Sequence, residues 1–550
     1  MSRLRRFGGA VAPPLVGGVG MALSLPPFGI WILAFPAAAV LWWQLGRLGL
    51  RRRLAAGWVF GLGLYGIGLW WVTDFNVYGG LVLIVVEALA SALASAIVPM
   101  GRGRTPALAG AMVLLEMARS SWPLGGLPLG GVALGQASGP LAGAARLGGP
   151  DLLVGLVWLG GGGLGAVAVT GARWTRTWWA ARSEPAGWRL LTGNAPPAGI
   201  RTLASVPVAG PVVAGVLAVA VTAGVAAAGR SAPDGGRAMS TIEVAAVQGG
   251  GVRGLDELEV PPQKVFEAQV AATELLQAGS ASRPPALIVW PEDVVALDQP
   301  LAGSPEEQTV ASLARAARAT VLAGVTEPAG PGHFRNEIVA FAPDGDIVAS
   351  YEKVHRVPFG EYVPWRGLVK HLANLSDVPE DAVAGHGDGT MRTPAGDFGT
   401  MVSYEVFFAD RGRAATRGGA TLLVVPTNTS SYSTAQVPTQ EVAADRLQAL
   451  SEGRDLVQAA PTGFSDLVDN QGRVLARSSL GRRALVVGRL SMRDGRTVYE
   501  RFGDLPMLVG ALAGIVGGWL WAALVPSEEA KALRRRRLSM QRPGQRPGHS

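Results

Sequence analysis

Three short stretches in the second half of the chain combine reactive side chains with backbone that would hold them still. In Trp290-Pro291-Glu292-Asp293 a carboxylate follows an apolar run and a helix-stopping proline. Taken alone, it reads equally well as a loop acid that caps the next turn. In the stretch 351–364, Lys353 is one of only four lysines, with Lys264, Lys370 and Lys531, in a chain whose other basic residues are arginines. A compact ammonium is chemically distinct from a guanidinium fork, so its use here is selective; the bland alternative is a basic surface loop. In Val402-Ser403-Tyr404-Glu405 a strand end turns toward a helix. Such a turn offers a side chain and backbone N–H groups to a substrate, and a serine there also suits a helix N-cap. Carboxylate, ammonium and strand-end hydroxyl are the groups of acid–base and nucleophilic chemistry.

The elements around these stretches have an α/β texture. Residues 241–247, 286–290, 320–324, 336–341, 347–351 and 420–426 read as short apolar strands, and residues 400–403 as the end of another. Residues 263–277 and 306–319 read as amphipathic helices between them. Pro343-Asp344-Gly345-Asp346 is a hairpin turn between two of the strands. Alternation of this kind predicts sheets covered by helices.

The first part of the chain has a different solvent. The protein has 550 residues, 49% hydrophobic and 16% charged, with mean hydropathy +0.27, which excludes disorder and an ordinary soluble enzyme. Only five of its 41 acidic residues precede Arg230: Asp74, Glu87, Glu116, Asp151 and Glu184. Twelve of the 16 tryptophans also precede it, many at the ends of apolar runs as in an interfacial belt. Runs near 8–24, 28–46, 54–72, 77–99, 105–119, 149–171, 205–228 and 505–525 approach the ~20 residues a spanning helix needs. Further runs follow the first directly, so it is not a cleavable leader. The expectation is a multi-span α-helical membrane bundle of about eight helices. Scarce acids within the runs, with Glu87 and Glu116 the only deep ones, speak against a transporter.

Charge gives the orientation. With the N-terminus inside, the inner segments carry Arg3, Arg5 and Arg6, then Arg47 and Arg51 through Arg53, then Arg102 and Arg104. They continue with Arg173, Arg176, Arg182, Arg189 and Arg201, and end with Lys531 and Arg534 through Arg537. This positive-inside pattern accounts for the net charge of +8 without nucleic acid. It predicts a bacterial cytoplasmic-membrane protein with both termini cytoplasmic. The expected organisation is a seven-span membrane domain over 1–230, an extracytoplasmic α/β domain over 231–503 and a last span over 504–526. A basic, disordered tail follows over 527–550, beside anionic lipid. The absence of cysteine excludes disulfides, thiolate metal sites and a cysteine nucleophile.

In their order, the three stretches resemble the nitrilase superfamily, whose αββα sandwich carries a Glu–Lys–Cys triad. Flanked by membrane spans, the arrangement resembles the apolipoprotein N-acyltransferase family over nearly the whole chain to about residue 525. Supporting stretches are 25–29, 71–80, 126–136, 247–249, 353–364 and 452–454, the most specific being the Pro358-Phe359-Gly360-Glu361 continuation after Lys353. The resemblance implies Glu292 as general base, Lys353 as oxyanion-stabilising cation and Glu361 as a second essential carboxylate. Ser403 stands at the nucleophile position, with Tyr404 and Glu405 beside it. It implies no cofactor or metal, a phospholipid acyl donor, and diacylglyceryl-modified lipoproteins as acceptors. Three departures stand out: Ser403 replaces the family's cysteine, residues 249–257 lack an expected tryptophan, and Asn428-Thr429 replaces Asn-Asp. An active acyltransferase is therefore one reading. A catalytically impaired homologue that binds lipids or lipoproteins, or supports a polyprenol-phosphate mannosyltransferase partner, is another. A membrane-anchored amidase is the third.

Overall fold

The computed structural model of the chain describes residues 2–182, 209–276, 284–371, 375 and 378–525. The expected inner residues Arg189 and Arg201, and the whole basic tail, lie outside the described residues.

Every apolar run of the first part forms a helix: α1 (Ser2–Ala22), α2 (Ala34–Leu45), α3 (Leu50–Gly68), α4 (Val77–Ile97), α5 (Arg104–Arg119), α6 (Ala145–Arg182) and α7 (Ala209–Ser231). Helix α6 is broken at Gly148 and Gly149, where the backbone leaves helical geometry. Four segments are long and apolar enough to cross a membrane: Val77–Ile97, Ala142–Ala172, Gly210–Ser231 and Leu505–Leu524. The remaining helices fall short for local reasons. Helix α1 contains Pro13 and Pro14, α3 opens on Arg51–Arg53, and α5 has 16 residues including Glu116 and Arg119.

Small residues let these helices approach closely, as in membrane bundles. A Cβ on Gly110 of α5 would lie 2.2 Å from the Ala511 carbonyl of the last helix, and one on Gly518 would lie 2.5 Å from the Gly103 carbonyl. The two deep acids are paired. Arg119 bonds Glu87 at 2.5 Å and Glu116 at 2.7 Å, and also donates to the Leu127 and Leu129 carbonyls. One buried guanidinium thus fixes α4, α5 and the loop that follows.

Residues 240–492 form two six-strand stacks placed face to face. The first has the order β14-β1-β2-β4-β5-β6, with two short strands added at its margins. Its strands are β1 (Ser240–Gln248), β2 (Leu287–Val289), β4 (Thr320–Pro328), β5 (His333–Phe341), β6 (Ile347–Glu352) and β14 (Ala484–Met492); the margins are β3 (Val295–Ala296) and β7 (Asp381–Ala382). The second has the order β13-β12-β11-β10-β9-β8. It comprises β8 (Thr390–Thr393), β9 (Gly396–Thr400), β10 (Leu422–Pro426), β11 (Leu456–Ala459), β12 (Asp466–Val468) and β13 (Val474–Arg477).

Side-chain alternation decides which layer each strand face meets. Ile242, Val244 and Ala246 of β1 pack with Leu422 and Val424 of β10 between the sheets. Ala245 and Val247 turn the other way, onto Phe266 and Ala272 of α8 (Pro262–Leu275) and Val310 of α9 (Pro305–Ala317). Helix α9 starts at an N-cap, where Ser304 Oγ accepts from the Glu307 N–H at 3.0 Å. On the far side, Leu423 and Val425 join a core shared by α11 (Gln436–Glu452) and the membrane helices. Helix α10 (Ala409–Arg417) completes that layer. The sandwich is αββα, and its second helical layer rests directly on the bundle.

That contact is polar at its rim. Gln436 donates to the Ile67 carbonyl at 2.6 Å, and Gln440 bridges the Gly68 carbonyl and the Gly130 N–H. Arg146 reaches Gln471 at 2.5 Å.

Candidate active site

Glu292, Lys353 and Ser403 all follow strands of the sandwich. Glu292 comes three residues after β2, Lys353 directly after β6, and Ser403 three residues after β9. Strand termini of this kind are where α/β folds leave backbone free to present side chains.

Lys353 is the centre of the first cluster. Its Nζ lies 2.7 Å from Glu292 Oε1 and 2.6 Å from Glu361 Oε1. Asn336 of β5 donates its amide to both carboxylates, at 2.9 and 3.1 Å, and its carbonyl accepts from the Lys353 N–H. Burial by itself disfavours the Lys353 ammonium, but Glu292 and Glu361 override it and hold its pKa above the ordinary lysine value. Burial also pushes Glu361 up, against the opposing pull of Lys353. Glu361 is fixed further by the Val357 N–H at 2.8 Å. Asp293, beside Glu292, is pushed up to about 7, chiefly by burial, while a hydrogen bond from Thr326 opposes the shift.

Ser403 opens a short 3-10 turn, Ser403–Phe407, with φ +51°. A non-glycine residue in this left-handed region stores backbone strain, which is common where a side chain must be aimed. The surrounding structure enforces it through Glu405, which is fully buried. The Glu405 carboxylate accepts from the Val402 N–H at 2.8 Å, just before Ser403. It also accepts from the Val354 and His355 N–H groups at 2.8 and 3.1 Å, just after Lys353, and from Tyr351 Oη. Glu405 therefore ties the serine turn to the lysine strand. Tyr404 turns toward the bundle, donating to the Gly126 carbonyl at 2.8 Å, and Tyr362 donates to the Leu124 carbonyl at 3.1 Å.

The six residues singled out in the sequence thus form one connected region. Others completing it carried weaker signals. Asn336 is the polar opening residue of an otherwise apolar strand. Thr427, following β10, lies 3.1 Å by its Oγ1 from Ser403 Oγ and 2.6 Å from Glu441 Oε1 of α11. Position after an apolar parallel strand, the signal that drew attention to Glu292, would have found Thr427 too; Glu441 was detectable only as an acid on a helix destined for burial. Tyr432 stacks edge-on against Trp71 and Phe75, with ring centroids 5.1 and 5.3 Å away, and joins domain to bundle.

A cavity of about 170 Å³ opens between the two parts, lined by Leu124 and Gly125 from the bundle loop and by His355, Arg356, Tyr362 and Tyr404 from the sandwich. The His355 ring stacks on Phe408 at 3.9 Å. Among the described residues no cluster of three or more His, Cys, Asp or Glu is arranged to hold a metal ion. The arrangement offers a charged acid–base cluster and an aimed hydroxyl beside a mouth shared with apolar helices.

Comparison with known proteins matches both parts. Residues 17–163 match the apolipoprotein N-acyltransferase N-terminal domain, and residues 243–499 match the carbon-nitrogen hydrolase domain. A protein of Mycolicibacterium smegmatis named apolipoprotein N-acyltransferase is 29% identical over 529 residues, covering 91% of this chain and 83% of that one. Its namesake in Geobacter metallireducens is 28% identical, covering 93% and 94%. That of Pseudomonas putida is 28% identical, covering 94% and 97%.

Proposed function

The chain belongs to the apolipoprotein N-acyltransferase family, and from that premise we propose that it matures lipoproteins by acyl transfer through Ser403. The observation that carries the reading is the intact Glu292–Lys353–Glu361 cluster, joined through Glu405 to the serine turn.

In the first half-reaction Ser403 Oγ attacks the ester carbonyl of a phospholipid and a lysophospholipid leaves. In the second, the free amine of a diacylglyceryl-cysteine attacks the acyl-serine and takes the chain. Covalent catalysis divides the exchange into two steps of lower barrier. Glu292 is the general base and Lys353 supplies positive charge where the oxyanion develops. Glu361 keeps the ammonium charged and aimed. Tyr404 and Glu405 fix the turn that presents the hydroxyl.

An alcohol demands more of this machinery than a thiol does. A cysteine near pKa ~8.5 forms a thiolate beside a cation, whereas a serine must lose its proton as it attacks. That single atom favours a second reading, a catalytically impaired homologue that binds lipid or lipoprotein. Nothing in the molecule or its matches supports the mannosyltransferase partner.

The membrane setting is part of the proposal. Seven spans precede the sandwich and one follows it; arginine-rich loops face the cytoplasm and the active site faces outward at the lipid–water interface. The cavity between bundle loop and sandwich supports entry of both lipidated substrates from the bilayer.

N-terminal mass spectrometry of lipoproteins, from cells whose only copy of the enzyme is this chain, tests the reading. Amide-linked acyl chains that disappear with Ser403→Ala are expected. Free amines in the unmodified strain, with acylation appearing only for Ser403→Cys, would establish the second reading instead.

A further inference from the structure

The serine that replaces the family's cysteine has a neighbour with no part in the Glu–Lys–Glu cluster. Thr427 Oγ1 sits 3.1 Å from Ser403 Oγ and 2.6 Å from Glu441 Oε1. Ser403 is nearly buried, and Thr427 and Glu441 are buried. A threonine hydroxyl carries one proton, and a carboxylate only accepts. With Glu441 ionised, the Thr427 proton must point at Glu441, which leaves Thr427 able only to accept from Ser403. The chain then runs one way, from Ser403 Oγ–H to Thr427 and from Thr427 Oγ1–H to Glu441. Glu441 Oε2 has no hydrogen-bond partner among the described residues, so the carboxylate is not committed elsewhere.

Glu292, by contrast, is engaged by Lys353 and Asn336. An ion-paired carboxylate is a poor acceptor for an alcohol proton, and a hydroxyl nucleophile therefore needs a second proton path. Resting on the acyl-transfer reading above, we propose that Thr427 and Glu441 form a hydroxyl relay that activates Ser403, Thr427 touching the reacting oxygen and Glu441 positioning and polarising it from behind.

The proton count closes. As Ser403 Oγ bonds to the acyl carbon, its proton passes to Thr427 and the Thr427 proton to Glu441. When the ester C–O bond breaks, the departing alkoxide takes a proton from Thr427, which recovers one from Glu441. The second half-reaction reverses the exchange, the amine proton entering and Ser403 Oγ leaving protonated.

The relay depends on the charge of Glu441. Burial pushes its carboxyl up to about 8; the Thr427 hydrogen bond opposes this, Glu292 and Asp466 add to it, and Lys353 opposes it. Asp445 and Tyr432 are the other titratable groups in its field. Protonated, Glu441 would donate to Thr427, Thr427 would donate to Ser403, and the chain would point the wrong way. Activation therefore rises with pH through the Glu441 titration.

The test is a fluorophosphonate probe, which bonds to activated serines with loss of fluoride, applied to the full-length protein in detergent between pH 6 and 9. Labelling of the Ser403 peptide is read by mass spectrometry. The wild type is expected to label at a rate that climbs with pH and levels off above about 8. Thr427→Val and Glu441→Gln should each slow labelling by about 100-fold, the usual worth of a positioned base, and abolish the climb. Thr427→Ser should restore the rate, and Glu441→Asp should keep a displaced climb; both stay informative if the harsher variants fail to fold. An unlabelled Ser403 in the wild type, or a pH climb that survives in Glu441→Gln or is undisturbed in Glu441→Asp, would overturn the relay. Labelled Ser403 without lipoprotein N-acylation would instead overturn the transferase reading and leave the relay standing.

Discussion

Lys353 concentrates the residue-scale argument. Its ammonium is buried between two carboxylates, and a charge in that position is stable only because both partners and Asn336 satisfy it. Its raised pKa keeps it protonated across neutral and moderately alkaline pH, so loss of activity on mild alkalinisation is not to be assigned to it. Lys353→Met should lower acyl transfer by at least ~100-fold and also destabilise the fold, because it strands Glu292 and Glu361 face to face. Adding Glu361→Gln should recover thermal stability without recovering transfer; equal recovery of both would show that Lys353 is only structural. Glu292, Lys353 and Ser403 were legible in the sequence because each follows a strand and has an unusual local signature. Thr427 and Glu441 were not, because an ordinary threonine and an ordinary helix glutamate meet Ser403 only when β9, β10 and α11 have packed.

At the scale of elements, α11 is the unusual one. A helix with Glu441, Asp445 and Glu452 reads as half-solvated, yet it is enclosed between the second sheet and the bundle. Asp445 and Asp466 of β12 have carboxylates without hydrogen-bond partners among the described residues. Burial, then mutual repulsion, pushes Asp445 well up; burial pushes Asp466 up to about 8. Acids with raised folded pKa values contribute stability that is complete below their ordinary pKa and lost as pH rises through the folded one. Asp466→Asn should accordingly raise the melting temperature little near pH 4 and most above pH 8. The gain should be on the order of 2 kcal/mol, the scale of an unsatisfied buried polar group. A gain that is constant with pH would mean that the carboxylate is already neutral or already paired. The helices and strands themselves were largely readable from period and turn chemistry, the Ser304 cap and the Gly345 turn among them. What periodicity could not supply was the environment of α11, because its neighbours come from residues more than 300 positions away.

For the molecule as a whole, the abrupt change in composition near Arg230 coincides with the passage from helical bundle to sandwich. Every apolar run became a helix, though only four segments have the length and apolarity of an independent span. The others rely on neighbours, through contacts such as Gly110 against Ala511 and the Arg119 pairs, and such tertiary support leaves no mark in a hydropathy window. Orientation is testable because the chain has no native cysteine. A single cysteine at exposed Asp346, in the β5–β6 turn, should react with an impermeant maleimide in intact cells. One at exposed Arg51 should react only after permeabilisation, and the reverse pattern would invert the topology. The central claim is that Ser403 carries the acyl chain, and the most direct measurement is peptide mass spectrometry of the purified protein after incubation with phospholipid alone. An acyl group on Ser403 that is discharged when a diacylglyceryl lipopeptide is added is the predicted result; a Ser403 that stays free, or an acyl-serine that the lipopeptide never discharges, would contradict it.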